Sequence, residues 1–517
     1  MDIIASAAPI SHSAGPTGQT RRRISPGRSF LRPSEFLLLA VCLTILGAQL
    51  FLQPRIGLAD NGDFSKVLGR VGLKKAGEGN FQFFVSSYSR AQTWDTVVWY
   101  SEVVPAWLAV HLQAIIRRDA PFDIAYLAAI HVALFLALYW VLLLLLRPFQ
   151  PAPRFALALL GLWIFTDVFY VAYFNSFYSD TAALLGLLAM VLAALHLLRR
   201  SHSPIAWWGV YALAAVFFVT SKPQHAIWAA FPAAFATARS WQAAGVRRIA
   251  GALLAASFVG LGVFELGTLP EAMKAMPLFD VVFLKLTADP ARRADVLHDL
   301  GMPQSYGRYA GVSSWTPGTP MLDPSLRQQF YVQARGHLPW FYLSHPRVVA
   351  RVLQDDLHAS APSLRPPMLA NYRREDGFAA YSHARRFCLW SDLRVLAFRA
   401  WPEHIVLWYA FVMAGALLFL KNGRPGTRGS AALCLALAMM GIGEFCFASL
   451  ADAAQTDRHL FLFHTLTDVT IYFVAVAAAQ APFLCGGNCR WGVEGVSATW
   501  CRFDRKCCWR RESIFGS

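Results

Sequence analysis

Two carboxylates three residues apart, Asp60 and Asp63, stand in the run Leu58-Ala59-Asp60-Asn61-Gly62-Asp63-Phe64. A glycine between them permits a tight turn. Such a turn can aim both acids at one point, where a carboxylate could take the proton of an attacking hydroxyl. The plainer reading is an Asx turn or helix N-cap, since Asp and Asn also satisfy free backbone donors. A second cluster, Phe174-Asn175-Ser176-Phe177-Tyr178-Ser179-Asp180, offers Asn175, Tyr178 and Asp180 for hydrogen bonding, or simply a polar cap on the next helix. A third holds Lys222, Gln224 and His225, and a fourth holds Asp452, Asp457, Arg458 and His459. Cations of this kind hold phosphate, although a Lys at a helix end also snorkels to a membrane interface. In Leu364-Arg365-Pro366-Pro367-Met368-Leu369-Ala370-Asn371-Tyr372 the two prolines fix an extended course. Arg365, Asn371 and Tyr372 could line a substrate groove there, or the segment is a rigid surface loop. Trp315, Trp340, Trp390 and Trp401 suit sugar stacking, but Trp is also enriched at membrane interfaces.

The elements that must position these clusters are apolar helices. Of the 517 residues 56% are hydrophobic and 15% charged, with a mean hydropathy of +0.40. A soluble domain carries about 25% charged residues. Uncharged runs such as Phe36–Leu52, Ile124–Leu146 and Ile405–Leu420 approach the roughly 20 residues that cross a bilayer. The sequence therefore predicts an all-α polytopic membrane protein with spans at 35–53, 122–146, 154–173, 181–198, 205–220, 224–238, 249–268, 402–420, 430–450 and 460–482. That is about ten transmembrane helices. The net charge of +16 is no sign of a nucleic-acid partner, because Lys and Arg sit in short connections between apolar runs. Arg147, Arg154, Arg199, Arg200, Arg239, Arg247, Arg248, Lys421, Arg424 and Arg428 fall on one side, and only Lys222 and Arg458 in the short connections of the other. The positive-inside rule then places both termini in the cytoplasm.

Under that topology all four polar clusters face outward. A basic leader (1–34) precedes a membrane region (35–268) whose first outer loop is 54–121. A second outer loop or subdomain (269–401), the last spans (402–482) and a basic Cys-rich tail (483–517) follow. Thr96–Ile116 contains Glu102, Pro105 and His111, and counting it as a span would invert every later loop. It reads instead as an amphipathic helix on the outer surface. The spans 205–220 and 224–238 are short, so Ser221-Lys222-Pro223-Gln224 reads as a recessed hairpin tip, tolerated only against protein or a watery cavity. The nine cysteines form no disulfide framework or trustworthy zinc pattern. No metal ligands are assigned. No cofactor is fixed by the sequence, and a divalent metal ion is left open.

Carboxylates, Lys, Arg, His and Asn gathered at one membrane face suit a substrate with an anionic phosphate and a sugar. The ordered motifs Ala59–Phe64, Phe174–Tyr178, Ser221–Gln224, Leu364–Pro367 and His459-Leu460-Phe461-Leu462-Phe463 resemble the GT-C class of polyprenyl-phosphate-dependent glycosyltransferases. More narrowly, they resemble the WsfD-like bacterial glycan-biosynthesis hexosyltransferases over about 55–480. The resemblance implies a lipid-linked sugar donor, a glycan or lipid acceptor of the cell envelope, and Asp60 or Asp63 as general base. The bacterial members of that group imply an inner (plasma) membrane. By their own chemistry Lys222 and Arg458 are expected to steady the donor phosphate with His225 or His459 assisting, and Asn61, Asn175, Tyr178, Asp180, Gln224, Arg365, Asn371 and Tyr372 to face substrate. Direct displacement by one base would invert the anomeric centre. A transporter or flippase for a polyprenyl-linked sugar is the alternative. It would place its site near the midplane between repeated halves, and no repeat is visible.

Overall fold

The computed structural model describes residues 32–75, 81–94, 98–199, 204–241, 245–423 and 425–485. The expected leader and tail lie outside the described residues, apart from 32–34 and 483–485. The chain is an all-α polytopic membrane protein with one small sheet. Apolar runs become helices because hydrocarbon offers backbone N–H and C=O groups no partner of its own.

Among the described residues seven helices are long and apolar enough to cross a membrane: Pro33–Leu50, Ala125–Leu146, Asp180–Arg199, Val246–Thr268, His404–Asn422, Thr427–Ala451 and Phe461–Gln480. The pair Pro151–Phe165 and Val168–Asn175, bent by 50°, is either a broken eighth span or a re-entrant loop. The expected straight span at 154–173 is therefore broken, and Asp167 marks the break. Its carboxylate accepts the backbone N–H of Phe169 at 2.9 Å and of Ser391 at 3.0 Å, so a new helix is capped there. The other two of the expected ten are Ile205–Val219, of 15 residues, and Ala230–Trp241, of 12, joined by the 3-10 turn Pro223–Ala229. At roughly 1.5 Å per residue neither crosses alone, and their tip is buried, with Ser221 at 0% and His225 at 1% exposure.

The first large loop is braced rather than loose. Strands β1 (Leu73–Lys75), β2 (Ser87–Arg90) and β3 (Phe122–Asp123) form an antiparallel sheet in that order, with Lys75 opposite Tyr88 and Tyr88 opposite Phe122. Helix Val103–Ile116 lies between β2 and β3 in the chain, with Trp107, Leu108, Ile115 and Ile116 exposed on its apolar face. Its N-cap residue Glu102 is fully buried, 2.9 Å from His131 of the Ala125–Leu146 helix. That contact holds the helix against the bundle.

Residues 271–359 fold around a second apolar core of Phe279, Phe283, Phe330, Leu338 and Phe341. This subdomain docks on the end of the Pro425–Ala451 helix. Lys285 Nζ donates to Asp356 Oδ2 at 2.7 Å, to Ser449 O at 2.8 Å and to Asp452 O at 2.9 Å, and Tyr342 donates to Leu450 O at 2.7 Å. Helix Leu389–Ala400 is built the other way round from a soluble surface helix. Ser391, Arg394 and Phe398 are buried, whereas Leu389, Leu393 and Leu396 are exposed. Arg394 pairs with Asp468, which also accepts from Tyr170 at 2.6 Å and Trp390 at 2.9 Å.

Candidate functional site

The acid turn follows the first helix because the chain is pinned on both flanks. Asn175 Nδ2 donates to Leu50 O at 3.1 Å and Ile56 O at 2.8 Å. Asn371 Nδ2 donates to Gly57 O at 2.8 Å, and Ala59 N donates to Ala370 O at 2.9 Å. Both Asn side chains are buried braces behind the turn. Asp60 Oδ1 then accepts the N–H groups of Gly62 at 2.7 Å and Phe64 at 3.2 Å. Gly62 takes φ 106°, a conformation that L side chains rarely adopt. The Asx turn and the acid pair, posed as alternatives by the sequence, are thus the same object.

What the turn presents is a network of charges. Asp60 Oδ2 lies 3.7 Å from Lys75 Nζ, which makes no hydrogen bond among the described residues. Asp63 pairs with Arg458 and, at 2.6 Å, with Lys66. Burial alone would raise the Asp63 carboxyl, but Arg458 and Lys66 hold it far below the usual range. Arg458 is likewise kept protonated by Asp63 despite burial, and its guanidinium lies 5.6 Å from the Tyr178 ring centre. The Tyr178 hydroxyl is 3.0 Å from Ala59 O, Asn61 Oδ1 and Asn61 N. Asn61 Nδ2 in turn donates to Gln455 Oε1 at 2.7 Å, and Gln455 sits at φ 61°. A non-glycine in that region stores strain, a feature concentrated at functional sites.

The hairpin tip closes the other side. Lys222 Nζ donates to Asp180 Oδ1 at 2.6 Å, with both side chains largely buried. Burial lowers the Lys222 ammonium, and the charge of Asp180 works against that. His459 Nδ1 faces Gln224 Oε1 at 3.2 Å and its Nε2 faces Asp452 Oδ2 at 3.1 Å. Gln224 Nε2 donates to Glu444 Oε1 at 2.8 Å, and Trp228 Nε1 donates to Glu444 Oε2 at 2.6 Å. His225 is buried beneath them, stacked on Phe218 and bonded to Ser221 Oγ at 2.7 Å.

Asp60, Asn61, Asp63, Tyr178, Asp180, Lys222, Gln224, Arg458 and His459 therefore meet at one end of the bundle, from four parts of the chain. Arg365 and Tyr372 do not join them. Arg365 pairs with Asp392 and donates to Ala384 O at 2.9 Å, and Tyr372 stacks on Phe378 with ring centres 3.8 Å apart. Lys66, Lys75, Gln455 and Glu444 were not foreseen. Lys66 stands three residues beyond Asp63, a spacing that brings charges together on a helical turn, and Glu444 is a lone acid in an apolar helix. Lys75 gave no such signal, since only the sheet brings it near Asp60.

The donor set does not fit a divalent metal ion. Among the described residues no group of three or more His, Cys, Asp or Glu is placed to hold one, and the carboxylates of the turn face cations instead. The arrangement suits an anion. Lys66, Lys75, Lys222 and Arg458 surround three carboxylates, and the buried Lys75 Nζ and Arg458 Nε lack hydrogen-bond partners among the described residues. A phosphate oxygen would satisfy such donors.

A family model described as the YfdI N-terminal transmembrane domain matches residues 22–488. No curated protein matches the chain.

Proposed function

From the premise that the chain belongs to the family of YfdI N-terminal transmembrane domains, a glycosyltransferase-like group of multi-pass membrane proteins, we propose that it transfers a hexose from a polyprenyl-phosphate donor. The acceptor is a cell-envelope glycan or lipid, and the chemistry occurs on the extracytoplasmic face. The likeness to WsfD-like hexosyltransferases supports the hexose and the lipid phosphate. The observation that carries the reading is the meeting of Asp60 and Asp63 with Lys222 and Arg458 at one end of the helix bundle.

In this reading Asp60 is the general base. Asp63 is held ionised by two cations, which makes it a poor proton acceptor, and it serves to fix Arg458. Asp60 keeps Oδ2 free of hydrogen bonds to the turn. It would take the acceptor hydroxyl's proton while the oxygen attacks the anomeric carbon. The carbon–oxygen bond to the lipid phosphate breaks, its electron pair stays on the phosphate, and the configuration inverts. Arg458 and Lys222 stabilise the charge gathering on the leaving phosphate.

The test is sugar transfer in membranes lacking the endogenous activity, with a polyprenyl-phosphate hexose donor and equal amounts of wild type, Asp60→Asn and Asp63→Asn. Loss of a general base lowers turnover by about 10²–10⁴-fold, and that loss is expected for Asp60→Asn in protein that still inserts. If both variants keep the wild-type rate, the carboxylates are structural and the base lies elsewhere; if wild-type membranes transfer no sugar, movement of a polyprenyl-linked sugar across the membrane becomes the better reading.

A further inference from the structure

The chain Asp452–His459–Gln224–Glu444 plays no part in the mechanism above. Its three links measure 3.1, 3.2 and 2.8 Å, and Trp228 Nε1 fixes the far oxygen of Glu444 at 2.6 Å. Each link needs one hydrogen, and proton positions follow from that count. With Gln224 donating to Glu444, its Oε1 must accept from His459 Nδ1. A neutral His459 then has only a lone pair on Nε2, so the hydrogen shared with Asp452 must be carried by Asp452. With the Gln224 amide turned over, its nitrogen donates to His459 Nδ1 and His459 Nε2 donates to an ionised Asp452. Glu444 must then carry the hydrogen that Gln224 Oε1 accepts. With a neutral ring a carboxyl therefore holds one extra proton; only an imidazolium would satisfy the three links with both acids ionised.

We infer that these four residues are a one-proton relay, in which Glu444 stores a proton within the helix bundle and Asp452 delivers it to the departing lipid phosphate. The inference rests on the glycosyltransferase reading for the identity of the acceptor of that proton. In the delivery step the sugar–phosphate bond breaks with its electron pair on a phosphate oxygen. The proton passes from Asp452 to that oxygen, leaving a monoprotonated lipid phosphate and an Asp452 carboxylate. Exchange moves one hydrogen across each link, from Glu444 to Gln224 Oε1, from the Gln224 nitrogen to His459 Nδ1 and from His459 Nε2 to Asp452, which leaves Gln224 as its imidic acid. The amide is regained when that hydrogen shifts from oxygen to nitrogen and the group turns by 180°, breaking and remaking its bonds to His459 and Glu444. Asp452 is the catalytic member; Glu444 is a positioning and storage residue, fully buried in the Pro425–Ala451 helix.

The surroundings are consistent with this division. His459 faces Arg458, at 3.5 Å from Nε2, and feels Lys222, Asp63 and Lys66 beyond. Burial and the guanidinium of Arg458, 3.5 Å from Nε2, disfavour a charged ring, which is the ground for placing the proton on a carboxyl. Asp452 faces Asp280, Arg458 and Lys285, and burial first, then Asp280, pushes its carboxyl up to about 6. Lys222 and Asp180 are the charged groups near Glu444.

Two measurements on the full-length protein test the relay, using Glu444→Gln, Asp452→Asn and the double variant. Gln at 444 can still accept from Trp228 and bond Gln224, so a purely structural Glu444 predicts an unchanged pH–rate profile. The relay predicts that Glu444→Gln slows transfer by about tenfold or more and moves the alkaline limb to lower pH. In infrared spectra of purified wild-type protein, a protonated-carboxyl band that shifts in D₂O is expected to disappear from the double variant. An unmoved profile with a wild-type rate, or a carboxyl region identical in wild type and double variant, overturns the relay. If wild-type membranes transfer no sugar at all, the glycosyltransferase reading fails, and the infrared comparison still decides whether the proton is there.

Discussion

Arg458 pairs with Asp63 across 395 residues of sequence, and that contact joins the first loop to the segment before the last span. Arg458 is buried by the pairing and lies over Tyr178, so a third part of the chain is fixed with it. Removing Asp63 strands a buried Arg458, whereas removing Arg458 leaves Asp63 a quarter exposed and still paired with Lys66.

Asp63→Asn is expected to cost on the order of 3 kcal/mol, the range for breaking a buried pair by removing one partner, and Arg458→Gln less, since Lys66 still faces Asp63. The double variant is expected to cost less than the sum, because the second change relieves the stranded charge. Melting of the four proteins in detergent checks this. Additive losses would show that the pair is not coupled.

The pH dependence of melting separates two acids. Asp63 titrates far below its ordinary range through Arg458 and Lys66, against burial. The native state therefore binds fewer protons there, and its stabilisation is lost as pH falls below about 4. Asp452 is raised from 3.8 to about 6, chiefly by burial. The native state binds the extra proton between those values, so stability falls as pH rises across that window. Asp452→Asn is expected to flatten the slope there, and Asp63→Asn the acid limb. A melting curve whose slope between pH 4 and 6 is unaffected by Asp452→Asn would show that its carboxyl is not raised.

Gly62→Ala is expected to destabilise by about 1 kcal/mol or more through φ 106° alone, since nothing lies within 4 Å of the added methyl. The same change should lower transfer by displacing Asp60. Retained melting temperature and retained transfer together would show that the turn adapts freely.

Helix Leu389–Ala400 is expected to sit in hydrocarbon. Leu389, Leu393 and Leu396 are 61%, 44% and 63% exposed, while Arg394 is buried against Asp468, about two turns into the last helix. A lipid-facing stripe with its charge turned inward is the pattern for a membrane solvent. Leu393→Cys should resist a membrane-impermeant maleimide in intact membranes and react after detergent solubilisation. Rapid labelling in intact membranes would place the stripe in water.

Much of this architecture was legible because its cause is local. An apolar run of bilayer length forms a helix wherever it stands, so Ala125–Leu146 and Phe461–Gln480 could be read directly. The short hairpin and the tight turn at Gly62 were likewise written in residue types. The bend at Asp167 was not, because it depends on a hydrogen bond from Ser391, more than two hundred residues away. Nor was the inverted helix at Leu389–Ala400, whose sequence alternates polar and apolar residues without saying which face meets water.

The sequence by itself determined the membrane-spanning helices and the types of residue that could do chemistry, because hydropathy and side-chain chemistry need no partner to be expressed. Tertiary structure alone decided which of those residues meet. It set Asp63 against Arg458, gave Asp60 Lys75 as a neighbour, turned Asn175 and Asn371 into braces, and linked Glu444 through Gln224 to His459. The reason is that Coulomb energy and hydrogen bonding act over a few ångströms of space, and distance along the chain says little about distance through it.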